Sequence, residues 1–237
     1  MDPEKKQVIR SLFFPAIFVF VIWLVKALEV ILDTSFAGYG MFPLQWKGLI
    51  GIITMPLIHA GWSHLFANSV PLFLLTALLF YSYREIAWQV LILIYLISGL
   101  WVWFLGETGS LHIGASGVVY GLAAFLFTSG IIRREIKLMA ITLLVAFLYG
   151  GMIWGVFPQF FPAERISWEG HLMGMLIGTI LAIYFRNLGP QRPRHEWEDE
   201  MNDEDDDPFS GYHPDDPAAP KPPEISYHYR DTDTNNQ

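Results

Sequence analysis

The chain has 237 residues, 53% of them hydrophobic and 16% aromatic, with a formal net charge of −8 and a mean hydropathy of +0.36. That is more apolar than a soluble domain of this length needs for one core, and it points to an all-α membrane protein. The complete lack of cysteine excludes disulfides, thiolate metal sites and a cysteine nucleophile; no metal, no cofactor and no nucleic acid is expected.

Taken in chain order, residues 1–11 form a short N-terminal segment carrying Lys5, Lys6 and Arg10. The apolar run that follows is too long for a cleaved signal and lacks an A-x-A site, so residues 12–32 read as a first transmembrane helix. A hydrocarbon core of ~30 Å needs about 20 apolar residues, and further candidate spans lie at 62–80, 88–105, 116–132, 138–157 and 168–185. Together these six spans make a membrane domain over residues 12–186. The long, partly apolar stretch 33–61 is expected to pack on or into the outer leaflet with short helices. The fourth span, 116–132, covers only ~25 Å at ~1.5 Å per residue. With Arg133 and Arg134 held at one surface, Ser116 therefore opens a helix inside the membrane.

Charge is distributed unequally. Residues 187–237 form a tail in which, from His195 onward, fourteen acidic side chains face only Lys221 and Arg230; thirteen basic and nine acidic residues precede it. Rich in Asp, Glu and Pro and without apolar periodicity, the tail is read as disordered. Within the membrane domain Lys5, Lys6, Arg10, Arg84, Arg133, Arg134, Lys137, Arg186, Arg192 and Arg194 fall on one side. The opposite loops carry mainly Lys47 and Arg165, with Lys26 near a helix end. The positive-inside rule then places both termini in the cytoplasm, and an even number of spans agrees. A bacterial plasma membrane suits the compact form.

Polar side chains within spans are costly and mark functional sites by default. Here they are His59, His64, Asn68 and Ser69 around the second span, Ser116 and Tyr120 on the fourth, and His171 on the sixth. His64 and Asn68 share one helix face, which an interhelical hydrogen-bond pair would also explain. His59 suits a cap or an interface, and Ser116 alone suits a helix cap. The company of Ser116 strengthens it. Gly117 and Gly121 form a GxxxG pair, as do Gly170, Gly174 and Gly178 on the sixth span, so the two helices can meet closely. His171 then reaches Ser116 at matching depth, where each needs a partner in hydrocarbon. The free N–H groups of the helix start, with Gly114 and Gly117 giving access, face the place of an acyl oxyanion, and His64 and Asn68 supply further donors. No carboxylate other than Glu169 stands near His171, which indicates a dyad rather than a triad, with Tyr120 packing against the imidazole.

These residues resemble the rhomboid family of intramembrane serine proteases. The resemblance rests on "HAGWSHLFANSVPLF" (residues 59–73), "GASGVVYGL" (114–122) and "GHLMGMLIG" (170–178), three motifs in the right order on three spans. It implies a six-helix bundle with a short central fourth helix, and a serine endopeptidase acting on transmembrane protein substrates in the lipid bilayer. It implies Ser116 as nucleophile and His171 as base. His64 and Asn68 would hold the oxyanion with the Ser116 N–H, and Gly174 and Gly178 would pack the helices. The helix at 138–157, with Gly150, Gly151 and Gly155 and lined by Trp154, would be a gate. Many relatives carry a Trp-Arg pair in the first loop, where this chain reads "GLIGIITMPLIH" and has Trp46-Lys47 upstream. The alternative is a catalytically inactive rhomboid-like protein that binds membrane clients; such proteins typically lack the serine or the histidine, and both are present. A transporter would spread ionisable residues along a pathway. No H-E-x-x-H motif and no pair of intramembrane aspartates offers another protease chemistry.

Overall fold

Helix α1 (Pro3–Ile31) starts at Pro3 rather than at residue 12 because its first residues are helix-starting chemistry. Asp2 caps it, accepting from the Glu4 N–H at 3.1 Å, and Pro3 occupies the first turn, where its missing N–H costs nothing. Apolarity marks the part of a helix that crosses lipid, whereas capping marks where the helix begins. At ~1.5 Å per residue α1 is longer than the ~30 Å hydrocarbon layer. The structure, a computed structural model, describes residues 2–148 and 167–189.

The segment after α1 folds into short 3-10 turns at Phe36–Tyr39, Trp46–Ile50 and Met55–Leu57, with one turn of α-helix, α2 (Gly51–Thr54), between the last two. Then come α3 (Trp62–Ser82), α4 (Ala87–Leu105), α5 (Ser116–Arg133), α6 (Ile136–Leu148) and α7 (Trp168–Tyr184). No strand occurs among the described residues, only an isolated antiparallel bridge between Met41 and His112. Helices α1 (from Glu4), α3, α4 and α5 are each long and apolar enough to cross a membrane. The fifth expected span enters the described residues only as α6, so Gly150, Gly151, Trp154 and Gly155 lie outside them, as does the tail from residue 190 onward.

Helix α5 is the centre of the bundle, packed chiefly on α7 and also on α3, α4 and α6. Val118, Val119, Leu122, Phe125 and Leu126 are buried in the main core. By contrast α1 turns Phe13, Ile17, Phe20 and Leu24 outward, an apolar surface suited to lipid. Trp23 Nε1 donates to Ser69 Oγ at 2.9 Å, and Ser69 Oγ donates to the Leu65 carbonyl at 2.7 Å. Ser69 is thus a joint between α1 and α3.

The contacts fix which helix ends lie together. At one end Gln7 Nε2 donates to the Tyr81 carbonyl at 3.1 Å, and Phe14 meets Trp88 edge-on at 4.4 Å between centroids. Arg133 joins that end: it is buried, donates to the carbonyls of Phe185 at 2.9 Å and Leu188 at 2.5 Å, bonds Ser129 and lies 4.9 Å over the Tyr83 ring. A guanidinium on the C-cap carbonyl of α7 (Phe185) and on the Leu188 carbonyl just beyond it complements the negative end of the helix dipole. At the other end gather the starts of α3, α5 and α7 and the first loop. Lys26 Nζ pairs there with Glu29 at 3.0 Å and donates to the His59 carbonyl at 3.2 Å, while Glu29 accepts from the Phe36 N–H at 2.7 Å.

Candidate active site

Three helices start at that second end, and each brings polar side chains to it. The α5 start is set by Gly114, whose φ of +111° is a conformation L-residues rarely adopt. A Cβ there would also lie 2.6 Å from the Cε1 and Nε2 atoms of His64. Glycine is required twice, by the turn and by the imidazole. The Gly114 N–H donates to the Met55 carbonyl at 2.9 Å, so Gly114 provides space and not a hydrogen-bond donor.

Ser116 is the first residue of α5. No side chain caps this end, and the Val119 N–H donates to the Ala115 carbonyl at 3.1 Å. The N–H groups of the first turn are therefore free of intrahelical acceptors and carry the positive end of the helix dipole. Ser116 Oγ lies 2.8 Å from His171 Nε2. That distance depends on the approach of α5 and α7: a Cβ on Gly117 would meet the Gly170 carbonyl at 3.1 Å, one on Gly121 the Gly174 carbonyl at 3.1 Å, and Cβ atoms on Gly174 and Gly178 would fall on the carbonyls of Gly117 and Gly121. Only backbones without side chains approach so closely.

His171 is buried, and its ring stacks on Tyr120 with centroids 4.2 Å apart and an interplanar angle of 8°. The stack fixes the ring plane so that Nε2 faces the serine. Asn68 is buried on α3 and donates through Nδ2 to the His64 carbonyl at 2.9 Å. His64 meets His59 edge-on at 5.1 Å. His59 lies in the loop before α3 and is 2% exposed. Among the described residues neither of its ring nitrogens has a hydrogen-bond partner of good geometry. Burial, then the neighbouring His64, lowers its pKa from 6.5 to about 3 against a smaller opposing effect of the Leu57 backbone. The ring is neutral at physiological pH.

The structure brings Ser116, His171 and Tyr120 into direct contact, seats His64 against Gly114, and lays His59 on His64. It also shows a polar residue that the sequence did not single out: His112 is buried and bonded to Ser110 and Ser167. Glu169, the carboxylate that the sequence sets near His171, is buried and its charge acts on His112. The spacing of histidines and serines on either side of the two motifs was the available signal, and in a loop such residues look ordinary. Chemically, a hydroxyl bonded to an imidazole at a helix start can give up its proton to the ring while the free N–H groups receive a developing negative charge. The site contains no cluster of His, Asp or Glu able to hold a metal among the described residues.

The chain is similar to several known proteins. A family model described as the Rhomboid domain matches residues 46–188. A Mycobacterium tuberculosis protein (strain H37Rv), named as uncharacterized, is 36% identical over 171 residues, covering 70% of this chain and 71% of its own. The Bacillus subtilis protein named "Putative rhomboid protease YdcA" is 30% identical over 181 residues, 68% of this chain and 81% of its own. A mimivirus protein named "Putative rhomboid protein L523" is 26% identical over 144 residues, 58% and 75% of the two chains.

Proposed function

The chain belongs to the rhomboid family, an integral membrane protein by its apolar helices, and from that premise we propose that it is a serine endopeptidase that cuts peptide bonds in or near transmembrane segments of other membrane proteins. The observation that carries the reading is the 2.8 Å contact between Ser116 Oγ and His171 Nε2 at the start of α5.

In this reading Ser116 Oγ attacks the scissile carbonyl carbon as its proton passes to His171 Nε2. The carbonyl oxygen takes the negative charge and is held by the Ser116 N–H together with the side chains of His64 and Asn68. Collapse breaks the C–N bond, the imidazolium gives its proton to the leaving amine, and an acyl ester remains on Ser116. Water, deprotonated by His171, then hydrolyses the ester. No carboxylate is assigned to orient His171; the Tyr120 stack supplies orientation instead. His59 supports His64 from behind, and Gly114, Gly174 and Gly178 provide the space that lets substrate and helices approach. Lipid surrounds the bundle, with both termini on the cytoplasmic side of a bacterial plasma membrane.

A fluorophosphonate probe tests this directly on the purified protein in detergent. Labelling is expected at Ser116, absent from Ser116→Ala and strongly reduced in His171→Ala, and both variants should lose cleavage of a model transmembrane substrate while keeping their helical circular dichroism. Cutting retained by either variant, or labelling at another residue, would refute the dyad.

A further inference from the structure

His112 sits four residues before Ser116, and Ser167 sits four residues before His171. His112 Nδ1 lies 2.6 Å from Ser167 Oγ, and Ser116 Oγ lies 2.8 Å from His171 Nε2. The same two chain segments are therefore joined by two serine–histidine rungs, with the order of serine and histidine exchanged between them. The catalytic reading above uses one rung and leaves the other without a role.

The second rung has a defined direction. Ser110 Oγ lies 2.6 Å from the Glu107 carbonyl, which can only accept, so the Ser110 hydroxyl donates there. His112 Nε2, 2.7 Å from Ser110 Oγ, must then be the donor to that oxygen. This makes His112 the Nε2–H tautomer, with Nδ1 left to accept from the Ser167 hydroxyl. Protons run in one line from Ser167 through His112 and Ser110 to the Glu107 carbonyl, and both nitrogens of a ring that is only 2% exposed are satisfied. His112 cannot take a further proton without breaking that line, which separates it from His171.

The backbone of His112 is equally fixed. Its N–H donates to the Met41 carbonyl at 3.0 Å and its carbonyl accepts from the Met41 N–H at 2.9 Å, which ties the first loop to the segment entering Ser116. On the other side, the Ser167 carbonyl accepts from the His171 N–H at 3.2 Å, so Ser167 belongs to the first turn of the helix that carries the base. One residue thus joins three pieces of chain: its backbone pairs with Met41 of the first loop, and its ring bonds Ser110 in its own segment and Ser167 before the helix of the base.

We propose that His112 is a positioning residue: through Ser167 it sets the separation of the α5 and α7 starts and thereby the alignment of Ser116 with His171. This rests on the serine-peptidase reading. Where substrate binds is unaffected, so the consequence is in the chemical step.

The test compares wild type, Ser167→Ala, His112→Asn, His112→Phe and the Ser167→Ala/His112→Phe double variant in detergent, reading fluorophosphonate labelling rate at Ser116, kcat, KM and thermal midpoint. Ser167→Ala and His112→Phe should each lose about tenfold or more in labelling rate and kcat with KM unchanged, because small misplacements of reacting groups cost that much. The double variant should be no slower than His112→Phe alone, as expected of two partners in one interaction. His112→Asn, whose amide can still reach Ser167, should recover most of the rate. Ser167→Ala, a change too small to unfold the protein, keeps the test open if His112→Phe fails to fold. Wild-type rates in Ser167→Ala, or fully additive losses in the double variant, would overturn the positioning role alone. Wild-type protein that does not react at Ser116 would overturn the peptidase reading, and this inference with it.

Discussion

A histidine buried as deeply as His59 turns pH into stability. The folded protein holds the His59 pKa down to about 3 from an ordinary 6.5, so between these values the unfolded chain binds a proton that the folded chain refuses. The stabilisation is complete above pH 6.5 and is lost as pH falls toward 3. His112 acts in the same sense, its pKa lowered by burial against the raising effect of Glu169 and Glu107. His59→Phe should therefore flatten the fall of the detergent thermal midpoint between pH 7.5 and pH 4, compared by scanning fluorimetry with wild type. At neutral pH the variant should cost little, because it removes two buried nitrogens that have no hydrogen-bond partner of good geometry among the described residues. Superimposable pH curves for the two proteins would count against a neutral buried His59. Residues of this kind were unevenly legible. Ser116, His171, His64 and Asn68 stood out as polar groups where the surroundings are apolar. His112 and Ser167 did not, because outside the spans polar residues are ordinary, and only the fold shows that His112 is buried against Ser167.

The contact between α5 and α7 follows from element-level rules that a sequence carries well. Small residues at fourfold spacing on two apolar helices indicate close approach, and the structure places Gly117 and Gly121 against Gly170, Gly174 and Gly178. A Cβ at Gly178 would fall on the Gly121 carbonyl and 3.0 Å from the Phe125 nitrogen, both backbone atoms that cannot swing aside. Gly178→Ala should push the helices apart at a cost of about 1–3 kcal/mol, visible as a lower thermal midpoint. It should also slow labelling of Ser116, whose distance to His171 depends on that interface. Gly38→Ala is the control, since nothing lies within 4 Å of a Cβ there. Equal midpoints for the two variants would show that the close approach is not holding the bundle. What the sequence could not show is how the first loop is held. The Trp46-Lys47 pair does not reach back to the membrane helices by charge: Lys47 lies 4.0 Å over the Phe42 ring, within its own loop. The fastening comes from elsewhere, with Trp103 Nε1 donating to the Gln45 carbonyl at 2.9 Å, Tyr95 bonding the Ile53 carbonyl, and Lys26 reaching the His59 carbonyl. These are side-chain bonds to backbone carbonyls, and carbonyls have no sequence signature.

At the scale of the molecule, charge and chemistry occupy opposite ends. Exposed Lys5, Lys6, Arg10, Arg84, Arg134, Lys137 and Arg186 lie on the segments that close the bundle where α3, α5 and α7 finish, while Ser116, His171 and His64 lie where those helices begin. At the site end Lys26 is engaged by Glu29, leaving Lys47 as the exposed basic side chain among the described residues. Arg133, which looks from its position in a charged turn like one more surface cation, is instead buried on the carbonyls of Phe185 and Leu188 just past α7. Removing it from the tally leaves the asymmetry intact, so the positive-inside argument does not depend on it. If the basic end lies in the cytoplasm, as proposed, the site faces the outer side, and reporter fusions check this in cells. Alkaline phosphatase inserted near Gly38, where a Cβ would meet nothing within 4 Å, should be active. The same enzyme fused after Gly189 should be inactive, and a fluorescent protein fused there should glow. The reverse pattern would turn the site toward the cytoplasm. The two outcomes select different substrates, since a site at the outer face can cut only segments presented from that side of the bilayer.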